Sequence, residues 1–354
     1  MLASSVQSPL PVPAATWPTT IADEAQLEEL LSRPTPAALA ALQSLDSDLM
    51  VLGVSGKMGP TLARMAKRAA PEKRVIGVAR FSEPGLKEKL QGWDIETVEC
   101  DLLDRKAVDG LERTENVVFM AGRKFGSEGN ESLTWAMNVH VPAIVAEAFV
   151  QSRIAVFSTA CVYPFVDIAG QGAREDLPLD PPGEYANSCV GRERMFEHFS
   201  RVHGARVSLI RLSYAIDMRY GVLHDVARAV LSGEPVQVSS GHCNVIWQGD
   251  ANDIALQSLA QAGTPPFVLN LSGPELVSVR RLAQKFGERF GRTPVFEGEE
   301  QGKAWIVDTS LQQSLHGYPS VPLPRLIDWT AKWMQGGGKS LDKPTHFEVR
   351  DGKY

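Results

Sequence analysis

An apolar run flows directly into a set of evenly spaced glycines: Val51-Leu52-Gly53-Val54-Ser55-Gly56-Lys57-Met58-Gly59, followed by the helix-forming Thr61-Leu62-Ala63-Arg64-Met65. The spacing GxxGxxG between a strand and a helix is a dinucleotide-binding turn in outline. Gly53 permits the tight turn, Gly56 lets a pyrophosphate approach the backbone, and Gly59 lets the helix pack on the strand. The helix N-terminus adds N–H donors and a partial positive charge. Ser55, Lys57 and Met58 share the loop and are candidate cofactor contacts. An ordinary glycine-rich turn has the same composition; the strand before it and the helix after it favour the nucleotide reading.

The alternation continues. Apolar runs at Leu49–Val54, Val75–Ala79, Thr97–Cys100, Val117–Met120, Ile154–Ser158 and Val207–Leu212 are separated by helical segments starting near Pro60, Asp104, Leu133 and Glu184. Such a chain forms a parallel sheet covered on both faces. The expected class is α/β: a Rossmann-type doubly wound parallel sheet with a smaller C-terminal α+β substrate-binding region and an N-terminal helical extension. Residues 48–215 form the dinucleotide-binding part, with a return segment at about 245–262. Residues 216–335 mainly bind substrate, and 336–354 are a polar tail. Residues 1–47 are the extension. Its Pro-, Ser- and Ala-rich start (1–19) is expected to be disordered or loosely attached. Thr20 caps a first helix carrying Ile21, Leu27, Leu30 and Leu31, and Thr35-Pro36 opens a second.

About 20 residues beyond the glycines, a dinucleotide site for NAD places an acid at a strand end to bind the ribose 2′-hydroxyl. Here Ala79 holds that place and Arg80 and Ser82 follow. Arginine grips a 2′-phosphate bidentately where an acid repels it. NADP is favoured, with NAD the alternative; a solvated arginine at a strand end is the plain structural reading.

Net charge is −6, which gives no reason to expect nucleic acid or acidic lipid as a partner. The four cysteines, Cys100, Cys161, Cys189 and Cys243, are far apart and form no CxxC, suiting a reducing compartment and giving no metal site. The N-terminus has no basic start or apolar core, and no apolar run nears the roughly 20 residues that span a membrane. A cytoplasmic protein without membrane contact is expected.

Five further segments carry a family likeness. They are Asp101-Leu102 after the third strand, Met120-Ala121-Gly122 after the fourth, and Asn138 within Met137–Pro142. Then come Ser158-Thr159-Ala160-Cys161-Val162-Tyr163-Pro164, and the acidic, proline-containing 175–181 leading to Tyr185. In order and spacing, Leu49 to Glu300 resembles the extended short-chain dehydrogenases, the NAD-dependent epimerase/dehydratases. The resemblance implies that Asp101 and Leu102 contact adenine. It places Ala121 and Gly122 beside the cofactor and makes Asn138, as the family's helix asparagine, a further cofactor-binding candidate. Thr159 would bond the substrate oxygen and Tyr185 would exchange its proton while contacting the cofactor. It also makes a homodimer plausible, through helices near 134–150 and 184–203.

The sequence departs from that family where it matters most. The motif Tyr-x-x-x-Lys reads Tyr185-Ala186-Asn187-Ser188-Cys189. A free tyrosine titrates near 10, and a neighbouring cation shifts a pKa by about 1–3 units. Without that cation, Tyr185 is a poorer acid/base at neutral pH. Residues 185, 189 and 192 share a helix face, and helical side chains lean toward the N-terminus. Arg192 therefore reaches toward the missing lysine's place, unless it is a surface arginine paired with Glu193 or Glu197. Cys189 as a nucleophile is the other candidate role.

Other departures bear on the substrate. Ala160-Cys161 replace the Asp-Glu of the 4,6-dehydratases, Cys243 stands where nucleotide-sugar enzymes carry an arginine, and Tyr214 replaces the asparagine of the run that begins at Arg211. A smaller carbohydrate-like substrate is expected, in a pocket that Arg219, His242, Asn244 and Trp247 could line. The reading is an NAD(P)-dependent oxidoreductase or epimerase acting on a hydroxyl or ketone. The alternative is a dinucleotide-binding sensor or scaffold that has lost hydride chemistry.

Overall fold

The computed structural model describes residues 17–353. Seven strands form one parallel sheet: β1 (Leu49–Leu52), β2 (Val75–Ala79), β3 (Glu96–Glu99), β4 (Asn116–Phe119), β5 (Arg153–Thr159), β6 (Arg206–Leu212) and β7 (Phe267–Leu271). Their order is β7-β6-β5-β4-β1-β2-β3, with every pairing parallel. This is the Rossmann-type doubly wound arrangement, and the order reverses between β1 and β4. A crevice opens at that switch point, beyond the carboxyl ends of the strands.

The central strands are apolar on both faces because both faces are covered. Successive residues of β1 point to opposite cores. Val51 packs with Leu62, Ala66 and Ile254, whereas Met50 and Leu52 pack with Phe119, Ile144 and Phe196. Six strands fall where the sequence predicts them, within a residue or two. The seventh was not resolved from the mixed pattern of 216–335, because Asn270 interrupts its short apolar run. Asn270 is fully buried and ties Tyr163, Ala173 and Asp308 together.

Helices α1 (Glu24–Leu31) and α2 (Pro36–Ser44) lie at the chain start. Asp23 caps α1, not Thr20, since its carboxylate accepts from the Gln26 amide. Thr35 caps α2 as expected. Leu27, Leu30 and Leu31 join a second core built around α6 (Val222–Ser232), α8 (Val279–Phe290) and α9 (Leu323–Gln335). The expected loose start mostly falls in residues 1–16, outside the described residues. Residues 17–19 are docked: Trp17 packs edge-on against Trp329, and the Pro18 carbonyl accepts from its indole.

Helix α3 (Gly59–Ala69) follows the glycine loop, α4 is Val141–Ala148, α5 Gly183–His203 and α7 Gln248–Gln257. Among the described residues no helix is long and apolar enough to cross a membrane.

Candidate functional site

The three loop glycines answer to different demands. Gly53 has φ +88°, and a Cβ there would stand 2.7 Å from the Ala121 amide nitrogen. A Cβ on Gly59 would stand 2.2 Å from the Val54 carbonyl oxygen. Both are glycine because protein backbone presses on them. Gly56 differs: its nearest neighbour would be the Gly53 oxygen, an ordinary contact at 3.5 Å. The space over Gly56 is therefore open to a ligand. The N-terminus of α3 beside it has no side-chain cap, and the buried Ser55 Oγ has no hydrogen-bond partner. Uncapped N–H groups and an orphan hydroxyl suit a phosphate group.

A cavity of about 290 Å³ adjoins this loop at the carboxyl ends of the strands. Gly56, Met58 and Met120 line it at the loop. Thr159 and Cys161 line it at and just beyond the end of β5, Tyr185 and Arg192 line it from α5, and Lys57, Tyr214, Tyr220, Lys124 and Thr345 are also in its lining. The structure thus brings Thr159, Tyr185 and Arg192 together beside the glycine loop.

Thr159 ends β5, and its Oγ1 accepts from the Cys161 amide at 3.2 Å. The hydroxyl proton stays available for a ligand. Tyr185, two residues into α5, is half-buried on the cavity wall. Its hydroxyl shares a hydrogen bond with the thiol of the fully buried Cys189. Burial raises the Tyr185 pKa well above its ordinary value, Cys189 and Cys161 add to that, and Arg192 opposes it. Cys189 itself is pushed up to about 11 by burial, against the pull of Arg192.

Arg192 is only 7% exposed. It does not pair with Glu193 or Glu197; Glu193 is held by Arg211 at 2.8 Å, and Glu197 by Arg194 and Arg201. Its Nη1 donates to the Phe157 carbonyl and its Nη2 to Asn138 Oδ1, each at 2.8 Å, while Nε has no partner.

Asn138 departs from a direct cofactor contact. It lies fully buried in a π-helical turn, Ala136–His140. Its oxygen accepts from the Arg123 amide and Arg192, and its nitrogen donates to the Arg123 carbonyl and Ser188 Oγ. With all four bonds filled, it positions Arg192 and has none left for a ligand. Lys57 turns away from the loop, its Nζ donating to the Ala215 carbonyl at 2.8 Å over the Tyr220 ring. Burial lowers its pKa to about 7.

The residues expected around the adenosine lie outside the cavity. Arg80 and Ser82 are exposed, and Arg80 forms no ion pair among the described residues. Asp101 Oδ1 accepts from the Leu103 amide. Leu102 is buried, as is Ala121, which backs Gly53.

Four expected pocket residues do not line the cavity. Arg219 pairs with Asp217, Glu24 and Glu28. Asn244 is bonded to Val307 and Glu275, Trp247 packs on Trp329, and His242 faces a separate depression beside Arg280. Lys124, Tyr220 and Thr345 were missed. Thr345 had no signal at all, lying in a polar tail. Among the described residues no cluster of His, Cys, Asp or Glu could hold a metal.

No protein-family model and no curated protein matches the sequence. Solved structures match the fold. MoeE5 in complex with UDP-glucose and NAD is 22% identical, over 82% of this chain and 99% of that one, with a TM-score of 0.67. UDP-glucose 4-epimerase from Thermotoga maritima, with UDP-glucose, is 19% identical over 82% and 99%, TM-score 0.68. The dTDP-glucose 4,6-dehydratase DesIV from Streptomyces venezuelae, with NAD and TYD bound, is 19% identical over 81% and 97%, TM-score 0.68. Identities this low show a shared fold.

Proposed function

We propose that this chain is a nicotinamide-dinucleotide-dependent oxidoreductase or epimerase that acts on a hydroxyl or ketone of a small sugar-like molecule. The observation that carries the reading is the convergence of Thr159 and Tyr185 on one cavity beside the open backbone at Gly56. Fold neighbours crystallised with NAD support the cofactor class. The loop from Gly53 to Gly59, with Ser55 Oγ and the α3 N-terminus, would hold the pyrophosphate. Asp101 would lie toward the adenosine end. The exposed Arg80, with no acid at Ala79, supports NADP over NAD.

A bound nicotinamide supplies the hydride donor or acceptor. The chain supplies the rest. Thr159 donates its hydroxyl proton to the substrate oxygen and orients it. Tyr185 gives its phenolic proton to that oxygen as a carbonyl is reduced. Burial keeps Tyr185 protonated, so proton donation is its easy direction. Arg192, fixed by Phe157 and Asn138, provides a positive charge near the place that Cys189 leaves neutral.

Neighbours hold nucleotide sugars, as their names state. Here a cavity of about 290 Å³, with Thr345 of the C-terminal segment in its lining, supports a smaller substrate.

A second reading, a dinucleotide sensor without turnover, draws on Cys189, which raises the Tyr185 pKa where the family's lysine lowers it. Calorimetric titration with NAD⁺, NADH, NADP⁺ and NADPH, then a sugar panel followed at the reduced-nicotinamide absorbance, separates the readings. Binding with turnover supports the enzyme. Binding without turnover supports the sensor, and no binding removes both.

A further inference from the structure

From Gly338 to Lys353 the chain forms no helix or strand, yet it is docked as a strap. Its base is fixed beside the end of α9. Gly338 lies against the Trp333 ring, and the Trp333 indole donates to the Lys339 carbonyl. His224 bonds Ser340 Oγ, and the Leu341 amide donates to the Arg219 carbonyl. Beyond this base, the arm from Asp342 to Lys353 buries one apolar side chain, Phe347. Separate polar contacts hold the rest. Ser240 Oγ donates to the Glu348 carbonyl, and Arg350 donates to the Lys303 carbonyl over the Phe165 ring. Near its end the arm meets the start of α5, where a Cβ on Gly183 would stand 2.6 Å from Gly352 Cα.

Thr345 is where the arm meets the cavity: it is in the lining and is 1% exposed. Two sides of the cavity converge on it. From α6, Asp225 Oδ2 accepts from the Thr345 amide and hydroxyl, at 2.8 and 2.6 Å. From the loop after β4, Lys124 Nζ donates to the Thr345 carbonyl at 2.8 Å. Lys124 lines the cavity, and so do Tyr220 and Gly221, which lead directly into α6. The arm therefore joins the loop after β4 to α6 across the cavity. Asp342 and His346, on either side of Thr345, have φ +49° and +53°. Residues other than glycine rarely adopt such angles, which persist only where neighbouring contacts hold them. The Asp225 latch thus keeps the backbone in a conformation it would leave once released.

Resting on the functional reading above, we propose that residues 342–353 are a lid over the substrate cavity. The lid latches through Thr345 on Asp225 and, while latched, admits compact molecules and bars bulky ones. The parts of a lid are present: a fixed base, an arm without regular structure, one apolar anchor, and a two-bond latch on α6. Segments that open locally are those with few buried apolar contacts. Lids that close over a site shield its chemistry from water. The latched arm helps bound a cavity of about 290 Å³, near the lower end of the roughly 300–1,000 Å³ range of small-molecule sites. Release of the latch opens one wall and widens the range of molecules that enter.

Cys161, on the cavity wall, reports on entry without any substrate in hand. The full chain is treated at pH 7.5 with iodoacetamide, a small reagent, and in parallel with fluorescein-5-maleimide, a bulky one. Peptide mass spectrometry gives each rate at Cys161, divided by the rate of the same reagent on the urea-unfolded chain. In the wild type the normalised maleimide rate should lie at least about tenfold below the iodoacetamide rate. Asp225→Ala should raise the maleimide rate about tenfold and the iodoacetamide rate less than about threefold. Thr345→Val, which keeps the amide bond to Asp225, should give a smaller rise. Truncation after Leu341, with folding checked by circular dichroism, should match Asp225→Ala. Equal normalised rates in the wild type overturn the lid, and so does a maleimide rate that neither Asp225→Ala nor the truncation moves. Cys100, buried at the end of β3, should stay unlabelled throughout. Labelling of Cys100 that rises in step with Cys161 means general loosening and overturns the latch. None of these rates requires a dinucleotide, so failure to bind any dinucleotide strikes the functional reading alone.

Discussion

The guanidinium of Arg192 occupies the space a side chain would need at Gly122: a Cβ there would stand 2.2 Å from Nη2. Glycine at this position makes room for a protein group, so its role is to admit the arginine.

Two substitutions test that relationship. Arg192→Met leaves Asn138 Oδ1 and the Phe157 carbonyl each short of a donor, costing about 1–3 kcal/mol of stability. It also removes the charge that opposes the rise of the Tyr185 pKa, so turnover should fall by tenfold or more. Gly122→Ala should reproduce the loss of turnover, because Arg192 must move. Urea denaturation with steady-state kinetics measures both, and wild-type turnover in Arg192→Met would rule the arginine out.

Tyr185 should show its state in the pH profile. Its pKa stands well above 10, chiefly through burial, so the phenol is protonated across the neutral range. Carbonyl reduction should hold level from pH 6 to 9, whereas alcohol oxidation, which needs a proton acceptor, should rise with pH. Tyr185→Phe should abolish both rates while the protein still binds the dinucleotide. An oxidation rate already level at pH 7 would show a tyrosine that ionises easily.

The cysteines should divide by exposure. Burial pushes Cys189 up to about 11 and Cys243 up to about 12, and it raises Cys100. These thiols are scarcely ionised at pH 8, and the thiolate is the reactive form. Cys161 is half-buried on the cavity wall. Iodoacetamide at pH 8 followed by mass spectrometry should find Cys161 modified first and Cys189 untouched until the protein unfolds. Early labelling of Cys189 would revive it as a nucleophile.

What the sequence disclosed follows from how local each determinant is. The β1–α3 turn was legible because a strand, three glycines and the start of a helix follow one another directly, with Gly53 and Gly59 each forced by the backbone pressed against it. Six strands were legible because burial on both faces writes a continuous apolar run. Thr159 and Tyr185 were legible through a motif. The protein bonds of Asn138 were not legible, because the π-helical turn that aims its amide at Arg123 and Arg192 leaves no periodic trace. Arg219 was placed in the pocket because its partners, Glu24 and Glu28, lie about 190 residues away on α1. Thr345 was invisible for the same reason: its partners, Asp225 and Lys124, are remote in sequence, and nothing local marks a polar tail as a docked strap.

Asp250 offers a stability test remote from the cavity. It sits in the first turn of α7, buried, and accepts from the Ser320 and Val321 amides ahead of α9. Burial raises its pKa to about 7, more than those hydrogen bonds lower it, and Asp253 adds to the rise. In the unfolded chain the group titrates near 4. The native state therefore holds the proton more tightly. The stabilisation is fully present below about pH 4 and is lost as pH rises through about 7. On the order of 3 kcal/mol should disappear between pH 5 and pH 8 from this group. Asp250→Asn keeps an acceptor for the Ser320 amide but cannot ionise, so its stability should change less with pH over that window. Chemical denaturation of both proteins at pH 5, 6.5 and 8 decides the matter. Parallel pH profiles would mean that the carboxyl is ionised in the native fold, with the Ser320–Val321 turn supplying enough donors to hold the charge.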